Sequence, residues 1–173
     1  MKKYIFGTEP YDHQREAFEG SAEQENYALL MDMGTGKTKV CIDTIAHSFE
    51  KKKVDLAIIV APKGVIANWI GEIETHLPER IGTDIVLWKP NLTKAKRKEL
   101  VDLYKENDNL KFLLMNIEAF STKKGVDVAE FFVKKFKVFM AVDESTTIKN
   151  RQAKRTKSIC DVGRGAVMRR ILT

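Results

Sequence analysis

The chain has 173 residues, of which 43% are hydrophobic and 31% charged, and this length suits one domain with a proper core. The longest apolar run, at residues 56–61, is too short to span a bilayer, and no apolar stretch follows the N-terminus as in a signal peptide. Two widely separated cysteines and three histidines argue against a zinc site. We therefore expect a cytoplasmic protein with reduced thiols and no membrane contact. Its net charge of +6 is compatible with a polyanionic partner.

Short apolar runs alternate with longer amphipathic segments along the chain. We predict strands at residues 27–31, 56–60, 84–88, 110–115, 138–142 and 167–172, the first of them buried, and helices at residues 38–49, 65–76, 93–104, 126–134 and 152–161. Such alternation implies right-handed crossovers and a mostly parallel sheet covered on both faces. The sequence predicts one three-layer α/β domain over residues 1–173, which we interpret as truncated from a longer protein because it stops directly after a strand.

A glycine-rich segment, MDMGTGKT at residues 31–38, joins the first predicted strand to the first predicted helix. Its glycines, Gly34 and Gly36, allow a tight turn whose N–H groups can cradle phosphates, while Lys37 can reach the β and γ phosphates and Thr38 can place its hydroxyl on Mg²⁺. Met31 stands where the usual G-x-x-x-x-G-K-[ST] spacing has its first glycine. We predict an ATP-binding loop from Met33, Gly34, Thr35, Gly36, Lys37 and Thr38, and the flanking strand and helix disfavour a chance turn.

Two acids, Asp143 and Glu144, follow the predicted strand KVFMAV. Carboxylates at the end of a buried strand cost free energy unless they have a function. Beside a phosphate loop, Asp143 would hold Mg²⁺ directly or through water, and Glu144 would orient and deprotonate the attacking water. A solvated strand end or a helix N-cap is the alternative, since Asp-Glu-Ser-Thr is also capping chemistry.

Several segments, taken in order, resemble the first motor lobe of superfamily 2 helicases and translocases, and most of all the Snf-type group. They are YDHQREA at 11–17, LLMDMGTGKT at 29–38, IIVAPKGVIANWIGEI at 58–73, FLLMNIEAF at 112–120, AVDESTTIKN at 141–150 and RRILT at 169–173. The resemblance implies a RecA-like phosphate-loop fold that uses ATP and Mg²⁺. It also implies that Gln14 reads the adenine edge, and that a second RecA-like lobe, in cis or on a partner chain, supplies arginine fingers.

The same resemblance implies a nucleic-acid partner, with DNA favoured over RNA. It places Lys63 beside the nucleic-acid track and gives Lys149 and Asn150 as the Snf-type end of the acidic segment. A basic C-terminal region adds to this expectation: Lys149, Arg151, Lys154, Arg155, Lys157, Arg164, Arg169 and Arg170. We interpret the second basic cluster, Lys94, Lys96, Arg97 and Lys98, as a solvated helix face. Trp69 and Trp88 are predicted to be core residues.

One departure from the family pattern concerns the acidic segment, which reads Asp-Glu-Ser-Thr instead of Asp-Glu-Ala-His or Asp-Glu-Ala-Gln. Thr146 is shorter and uncharged, which leaves open whether this position couples to Thr173. The favoured function is the ATP-binding lobe of a nucleic-acid-dependent ATPase, a helicase or double-stranded DNA translocase, that hydrolyses ATP with Mg²⁺ and is weak or inactive as an isolated lobe. The alternative is a non-catalytic nucleotide- or DNA-responsive module, and a small-molecule phosphotransferase fits less well because no lid-like Arg-rich insertion is present.

Overall fold

Six parallel strands form the centre of the molecule. The structure is a computed structural model that describes residues 4–91 and 93–173, apart from the side chain of Lys96. The strands are β1 (Asn26–Leu29), β2 (Leu56–Ala61), β3 (Thr83–Leu87), β4 (Leu110–Asn116), β5 (Val138–Val142) and β6 (Met168–Leu172). Their order is β1-β6-β5-β2-β4-β3, and every neighbouring pair is parallel. All carboxyl ends therefore lie at one edge of the sheet, which we call the carboxyl edge.

The described residues form seven α-helices, of which the first precedes β1 and the others lie between strands. They are α1 (Asp12–Ser21), α2 (Lys37–Glu50), α3 (Lys63–Ile66), α4 (Asn68–His76), α5 (Lys94–Tyr104), α6 (Lys123–Lys135) and α7 (Lys154–Arg164). The five predicted helices are present, although the one predicted at 65–76 is divided at Ala67 into α3 and α4. Helix α1 was not among the predicted elements. Two 3₁₀ turns, Ile117–Ser121 and Ser145–Ile148, follow β4 and β5.

The side chains of β2 show how the sheet separates two cores. Alternate residues of a strand point to opposite faces. Leu56, Ile58 and Val60 pack in the core formed with α5, α6 and α7, which includes Phe132. Ala57 and Ile59 belong to the core formed with α1, α2 and α4, whose members include Phe18, Ile45 and Ile73. The domain therefore has three layers, and the predicted α/β fold is confirmed.

The first strand differs from its prediction. Its apolar residues at 27–31 predicted a buried strand, but β1 spans Asn26–Leu29, and of these residues only Leu29 is buried. The reason is strand order, because β1 lies at the end of the sheet and has β6 as its neighbour. Tyr27 is 37% exposed as a result. Apolarity in the sequence does not reveal whether a strand is central or terminal.

Within residues 4–91 and 93–173, no helix combines the length and the apolarity that crossing a bilayer requires.

Candidate nucleotide-binding site

The predicted phosphate loop joins β1 to α2 at the carboxyl edge. Gly34 and Gly36 have φ angles of 79° and 85°, in the left-handed region that glycine adopts without strain. Gly36 is the N-cap residue of α2, and no side chain in the described chain caps it. The first N–H groups of a helix lack intrahelical partners, so the start of α2 presents donors to an anion. Thr38 is half-buried in this first turn, and Met33 is 92% exposed at the loop's tip.

The ammonium group of Lys37 lies against the loop itself. Its Nζ donates to the carbonyl oxygens of Met31 at 2.7 Å and Asp32 at 3.1 Å. Lys37 is half-buried, so the charge is held over the loop and remains accessible from solvent. An ammonium has three donors, and two of them are used here. The position suits a cation that would contact phosphates seated on the loop.

Helix α1 contacts the loop through two neighbouring side chains. Gln14 Nε2 donates to the carbonyl oxygen of Thr35 at 3.0 Å, and His13 Nε2 lies 3.0 Å from the same oxygen, to which it must be the donor. The other side-chain atom of Gln14, Oε1, accepts the backbone N–H of Tyr11 at 3.1 Å. Gln14 is buried, and both ends of its amide are engaged within the protein. This arrangement supports the loop, while adenine recognition by Gln14 stays a prediction.

The acid pair follows β5 at the same edge. Asp143 is 6% exposed, and its backbone N–H donates to Val60 at 2.8 Å, which continues the ladder with β2. Its Oδ1 accepts the Glu144 backbone N–H at 2.9 Å, and its Oδ2 accepts the indole N–H of Trp69 at 3.0 Å. Glu144 is exposed and has a φ of 48°, an uncommon conformation for a residue other than glycine. Such conformations occur disproportionately at functional sites.

Strand order brings the loop and the acid pair together. The loop follows β1 and the acids follow β5, with β6 between them, so the two strand ends lie about 10 Å apart at the usual strand spacing. Cys41, one helical turn after Lys37, provides a second indication. Burial raises the pKa of Cys41 to about 12; the Arg170 guanidinium lowers it, and the Asp143 carboxylate adds to the rise. The beginning of α2 therefore lies within electrostatic reach of Asp143.

The acidic segment contacts the end of β6 through a residue that the sequence did not single out. Ser145 Oγ and Thr173 Oγ1 are 2.9 Å apart and share a hydrogen bond. Thr146, the position considered for this coupling, is exposed. The side chain one position earlier makes the contact, because the 3₁₀ turn at Ser145–Ile148 rotates Thr146 outward.

The predicted nucleic-acid residues lie on the exposed surface after the strands. Lys63 begins α3 after β2, and Lys149 and Asn150 follow the 3₁₀ turn after β5. Lys63 lines a cleft of about 770 Å³ together with Lys89, Asn91 and Asn116, all of which follow or end neighbouring strands. Lys94, Arg97 and Lys98 are exposed on α5, as a solvated helix face requires, and the side chain of Lys96 lies outside the described residues.

Arg170 was counted among the basic residues available to a polyanion, and this interpretation was wrong. Arg170 is 1% exposed and donates to the backbone oxygens of Ser21, Gln24 and Glu25. Burial lowers its pKa. The guanidinium binds the carbonyl-rich end of α1, where a cation is stabilised by the helix dipole.

Trp69 is another residue beside the site that sequence reasoning did not assign to it. Its place on the apolar face of a predicted helix assigned it to the core, and the structure confirms that it is 1% exposed. Its hydrogen bond to Asp143 joins residues 74 positions apart. The useful signal was chemical, since a buried indole N–H usually needs an acceptor.

The model of the SNF2-related domain matches residues 13–173. The chain belongs to the SNF2-related domain family. The resemblance to Snf-type members of superfamily 2 is therefore confirmed.

Two curated relatives of this SNF2-related domain come from eukaryotes. The chain is 31% identical over 136 residues to "Probable ATP-dependent DNA helicase CHR12" of Arabidopsis thaliana, and the aligned region covers 78% of this chain and 11% of the relative. It is 26% identical over 138 residues to the chromatin structure-remodeling complex subunit snf21 of Schizosaccharomyces pombe, which covers 78% of this chain and 10% of that protein. The chain thus spans about a tenth of the length of these relatives.

Solved structures support the fold of the SNF2-related domain. The Sulfolobus solfataricus SWI2/SNF2 ATPase core in complex with dsDNA superposes with a TM-score of 0.66 and 18% identity, covering 100% of this chain and 33% of that one. The UvsW helicase from bacteriophage T4 gives a TM-score of 0.67 with 14% identity, covering 95% of this chain and 52% of the helicase. Both similarities agree with the RecA-like fold expected from the sequence.

Proposed function

We propose that this chain is the ATP-binding lobe of a nucleic-acid-dependent ATPase, of the helicase or double-stranded DNA translocase type, that works with Mg²⁺. The observation that carries the proposal is the position of Lys37 and the acid pair at one edge of the sheet, separated by a single strand. Membership of the SNF2-related domain family supports it, because relatives bear helicase and remodelling names.

The loop residues bind the phosphates in this proposal. Gly34 and Gly36 let the backbone approach them, and the uncapped start of α2 donates N–H groups from Gly36, Lys37 and Thr38. The ammonium of Lys37 moves from the loop carbonyls to the terminal phosphates, exchanging neutral acceptors for charged ones. The ammonium is charged in both positions, but anionic phosphate oxygens add a Coulomb attraction that neutral carbonyls lack, which favours this exchange.

The two acids have different roles in this proposal, metal binding for Asp143 and activation of water for Glu144. Asp143 and the hydroxyl of Thr38 hold Mg²⁺, either directly or through water. The ion, when bound, neutralises charge on the phosphates and stabilises the charge that develops during transfer. Glu144 is exposed beside Asp143 and accepts the proton of the attacking water. Asp143 fits its role, since each of its carboxylate oxygens accepts one hydrogen bond and keeps a second acceptor site.

A second RecA-like lobe, in cis or on a partner chain, completes the site in this proposal. The chain covers 33% of the SWI2/SNF2 ATPase core and 52% of the UvsW helicase, so each of those proteins has substantial structure beyond the matched part. Arginine fingers from another lobe stabilise transition-state charge and are worth on the order of 10³-fold or more in rate. The isolated lobe is therefore expected to hydrolyse ATP weakly.

Nucleic acid, with DNA favoured over RNA, binds along the part of the carboxyl edge formed by β2, β4 and β3 in this proposal. The nucleotide residues follow β1 and β5, whereas Lys63, Lys89 and Asn116 are placed by β2, β3 and β4. Lys149 and Asn150 follow β5 itself, so the two proposed functions meet at β5 on one edge of the sheet. The side chains of Lys63, Lys149 and Asn150 can all donate hydrogen bonds to phosphate oxygens, and such backbone contacts do not depend on sequence.

The test is ATP hydrolysis by the longest natural form of the protein, with and without duplex DNA or RNA. We expect duplex DNA to stimulate the wild type more than RNA does. Lys37→Ala should lose nucleotide binding, and Glu144→Gln should bind ATP but hydrolyse it about 10²- to 10⁴-fold more slowly. Glu74→Gln, an exposed substitution on α4, is the matched control. Absence of stimulation with intact nucleotide binding would favour the non-catalytic module.

A further inference from the structure

Trp69 makes an unusual contact for a core residue. It lies in the first turn of α4, is 1% exposed and packs in the same core as Ile59 and Ile73. Its indole Nε1 is 3.0 Å from Asp143 Oδ2. An indole N–H can only donate, so Trp69 is the donor and Asp143 the acceptor in this bond.

The two hydrogen bonds to Asp143 together define the plane of its carboxylate. Oδ2 accepts from Trp69, and Oδ1 accepts from the backbone of Glu144 at 2.9 Å. The torsion between a tetrahedral and a planar carbon is otherwise broad, so a carboxylate with one donor could rotate. Because the indole is held by packing and the amide by the backbone, both donors are rigid.

We propose that Trp69 is a positioning residue for the magnesium-binding carboxylate of Asp143, an inference that rests on the proposed function. The indole holds Oδ2 so that the remaining acceptor directions of the carboxylate stay aimed at the ion or its water. Residues that orient a metal ligand in this way typically contribute 10- to 100-fold to metal affinity or activity. Trp69 does not touch the nucleotide in this arrangement.

The other tryptophan provides a matched comparison. Trp88 is 2% exposed, and its Nε1 has no hydrogen-bond partner among the described residues. The two side chains are of the same size and are both buried, and replacing either by phenylalanine removes one N–H group. They differ in that only Trp69 contacts a carboxylate of the site.

The first experiment measures the affinity of a fluorescent ATP analogue for wild type, Trp69→Phe and Trp88→Phe, in Mg²⁺ and in EDTA. We expect Trp69→Phe to bind at least 10-fold more weakly than wild type in Mg²⁺, to match it in EDTA, and to need more Mg²⁺ for half-saturation. Trp88→Phe should resemble wild type in both conditions. An equal loss in Mg²⁺ and EDTA, or no loss at all, overturns the proposal.

A second experiment does not depend on how well Trp69→Phe folds. The two indole N–H groups give separate signals in a ¹H–¹⁵N spectrum, assigned with Trp88→Phe. Asp143→Ala and, separately, magnesium with nucleotide should each shift the Trp69 signal well beyond the Trp88 signal. An unmoved Trp69 signal in both cases contradicts the proposal. Wild type that binds no nucleotide in Mg²⁺ overturns the proposed function and this inference together; normal binding with an insensitive Trp69 overturns the inference alone.

Discussion

Gln14 donates a hydrogen bond from its side-chain amide to the carbonyl oxygen of Thr35 at 3.0 Å, so helix α1 holds the phosphate loop directly. The resemblance to superfamily 2 motor lobes implied that Gln14 would read the adenine edge. In the structure both ends of the amide are engaged, since Oε1 accepts the backbone N–H of Tyr11. This relationship separates two functions of one side chain, supporting the loop and recognising the base, which can be tested independently.

Gln14→Glu keeps the shape and the Oε1 acceptor but removes the donor to Thr35. If Gln14 mainly supports the loop, ATP and GTP affinities should fall equally, by about 10-fold, as expected for the loss of one hydrogen bond and a new repulsion between oxygens. Binding of both nucleotides can be measured by calorimetry. A selective loss of ATP binding would show instead that adenine recognition is the main role.

Gly36→Ala should weaken nucleotide binding and stability more than Gly34→Ala. Both glycines have positive φ angles, so each substitution carries backbone strain of roughly 1–2 kcal/mol. A Cβ at Gly36 would also lie 2.2 Å from Gln14 Nε2, whereas a Cβ at Gly34 meets nothing within 4 Å. Urea unfolding of both variants tests this order. Adding Gln14→Ala should reduce the extra cost at Gly36, and additive effects would exclude the proposed clash.

Ser145→Ala should reduce nucleic-acid stimulation of hydrolysis more than Thr146→Ala. Ser145 shares a hydrogen bond with Thr173 at 2.9 Å, while Thr146 is exposed. The bond links the acidic segment to the end of β6. Its loss should leave basal hydrolysis and nucleic-acid binding intact but reduce the effect of nucleic-acid binding on the rate of hydrolysis. The ratio of stimulated to basal rate in the longest natural form is the measurement. Equal effects of the two substitutions would argue against a coupling role for Ser145.

Lys39→Met should destabilise the protein strongly at neutral pH. Lys39 Nζ is 2.7 Å from Asp43 Oδ2, and both side chains are almost fully buried. Removing one member of such a pair leaves a buried charge and costs about 3–5 kcal/mol. Lys123→Met is the matched control, because Lys123 and Asp127 form an exposed pair with the same spacing and should contribute little. Urea unfolding at pH 7.5 compares the two.

The same pair predicts a pH dependence. Burial raises the pKa of Asp43 to about 6, although Lys39 and Tyr4 lower it in part. Since the folded state binds this proton more tightly than the unfolded state, Asp43 favours folding below its unfolded pKa, and this contribution is lost as the pH rises through about 6. The cost of Lys39→Met should therefore be smaller at pH 4.5 than at pH 7.5. An equal cost at both pH values would contradict the raised pKa.

Lys63→Gln should weaken binding to DNA of any sequence and make it less sensitive to salt. A lysine that neutralises one phosphate contributes about 0.9 to the slope of log affinity against log salt concentration. Lys63 is exposed at the carboxyl edge of the sheet. Lys134 is exposed at the C-terminal end of α6, which leads to the start of β5 and so lies at the other edge, and Lys134→Gln serves as the control. Anisotropy titrations between 50 and 200 mM salt would measure both slopes, and an unchanged slope for Lys63→Gln would remove it from the interface.

The sequence predicted what depends on local pattern. Alternating apolar and amphipathic segments were sufficient for the parallel sheet, and the glycines of the loop were sufficient for its left-handed turns, since only local geometry is involved. It did not predict contacts between distant segments. Trp69 with Asp143, Ser145 with Thr173 and Arg170 with the end of α1 each depend on strand order, which single-sequence patterns do not encode. The exposure of β1 was missed for the same reason.

The end position of β1 has a mechanical consequence. The phosphate loop follows β1, one of the two end strands of the described sheet, whose neighbour is β6. The segment proposed to bind the nucleotide therefore begins beside a strand that is supported on one side. Terminal strands generally open at lower free energy than central ones. Gln14 and His13 donate to the loop, and Arg170 of β6 donates to the end of α1 and the residues before β1. These contacts should therefore slow hydrogen exchange in β1 and the loop more than in β2 or β4.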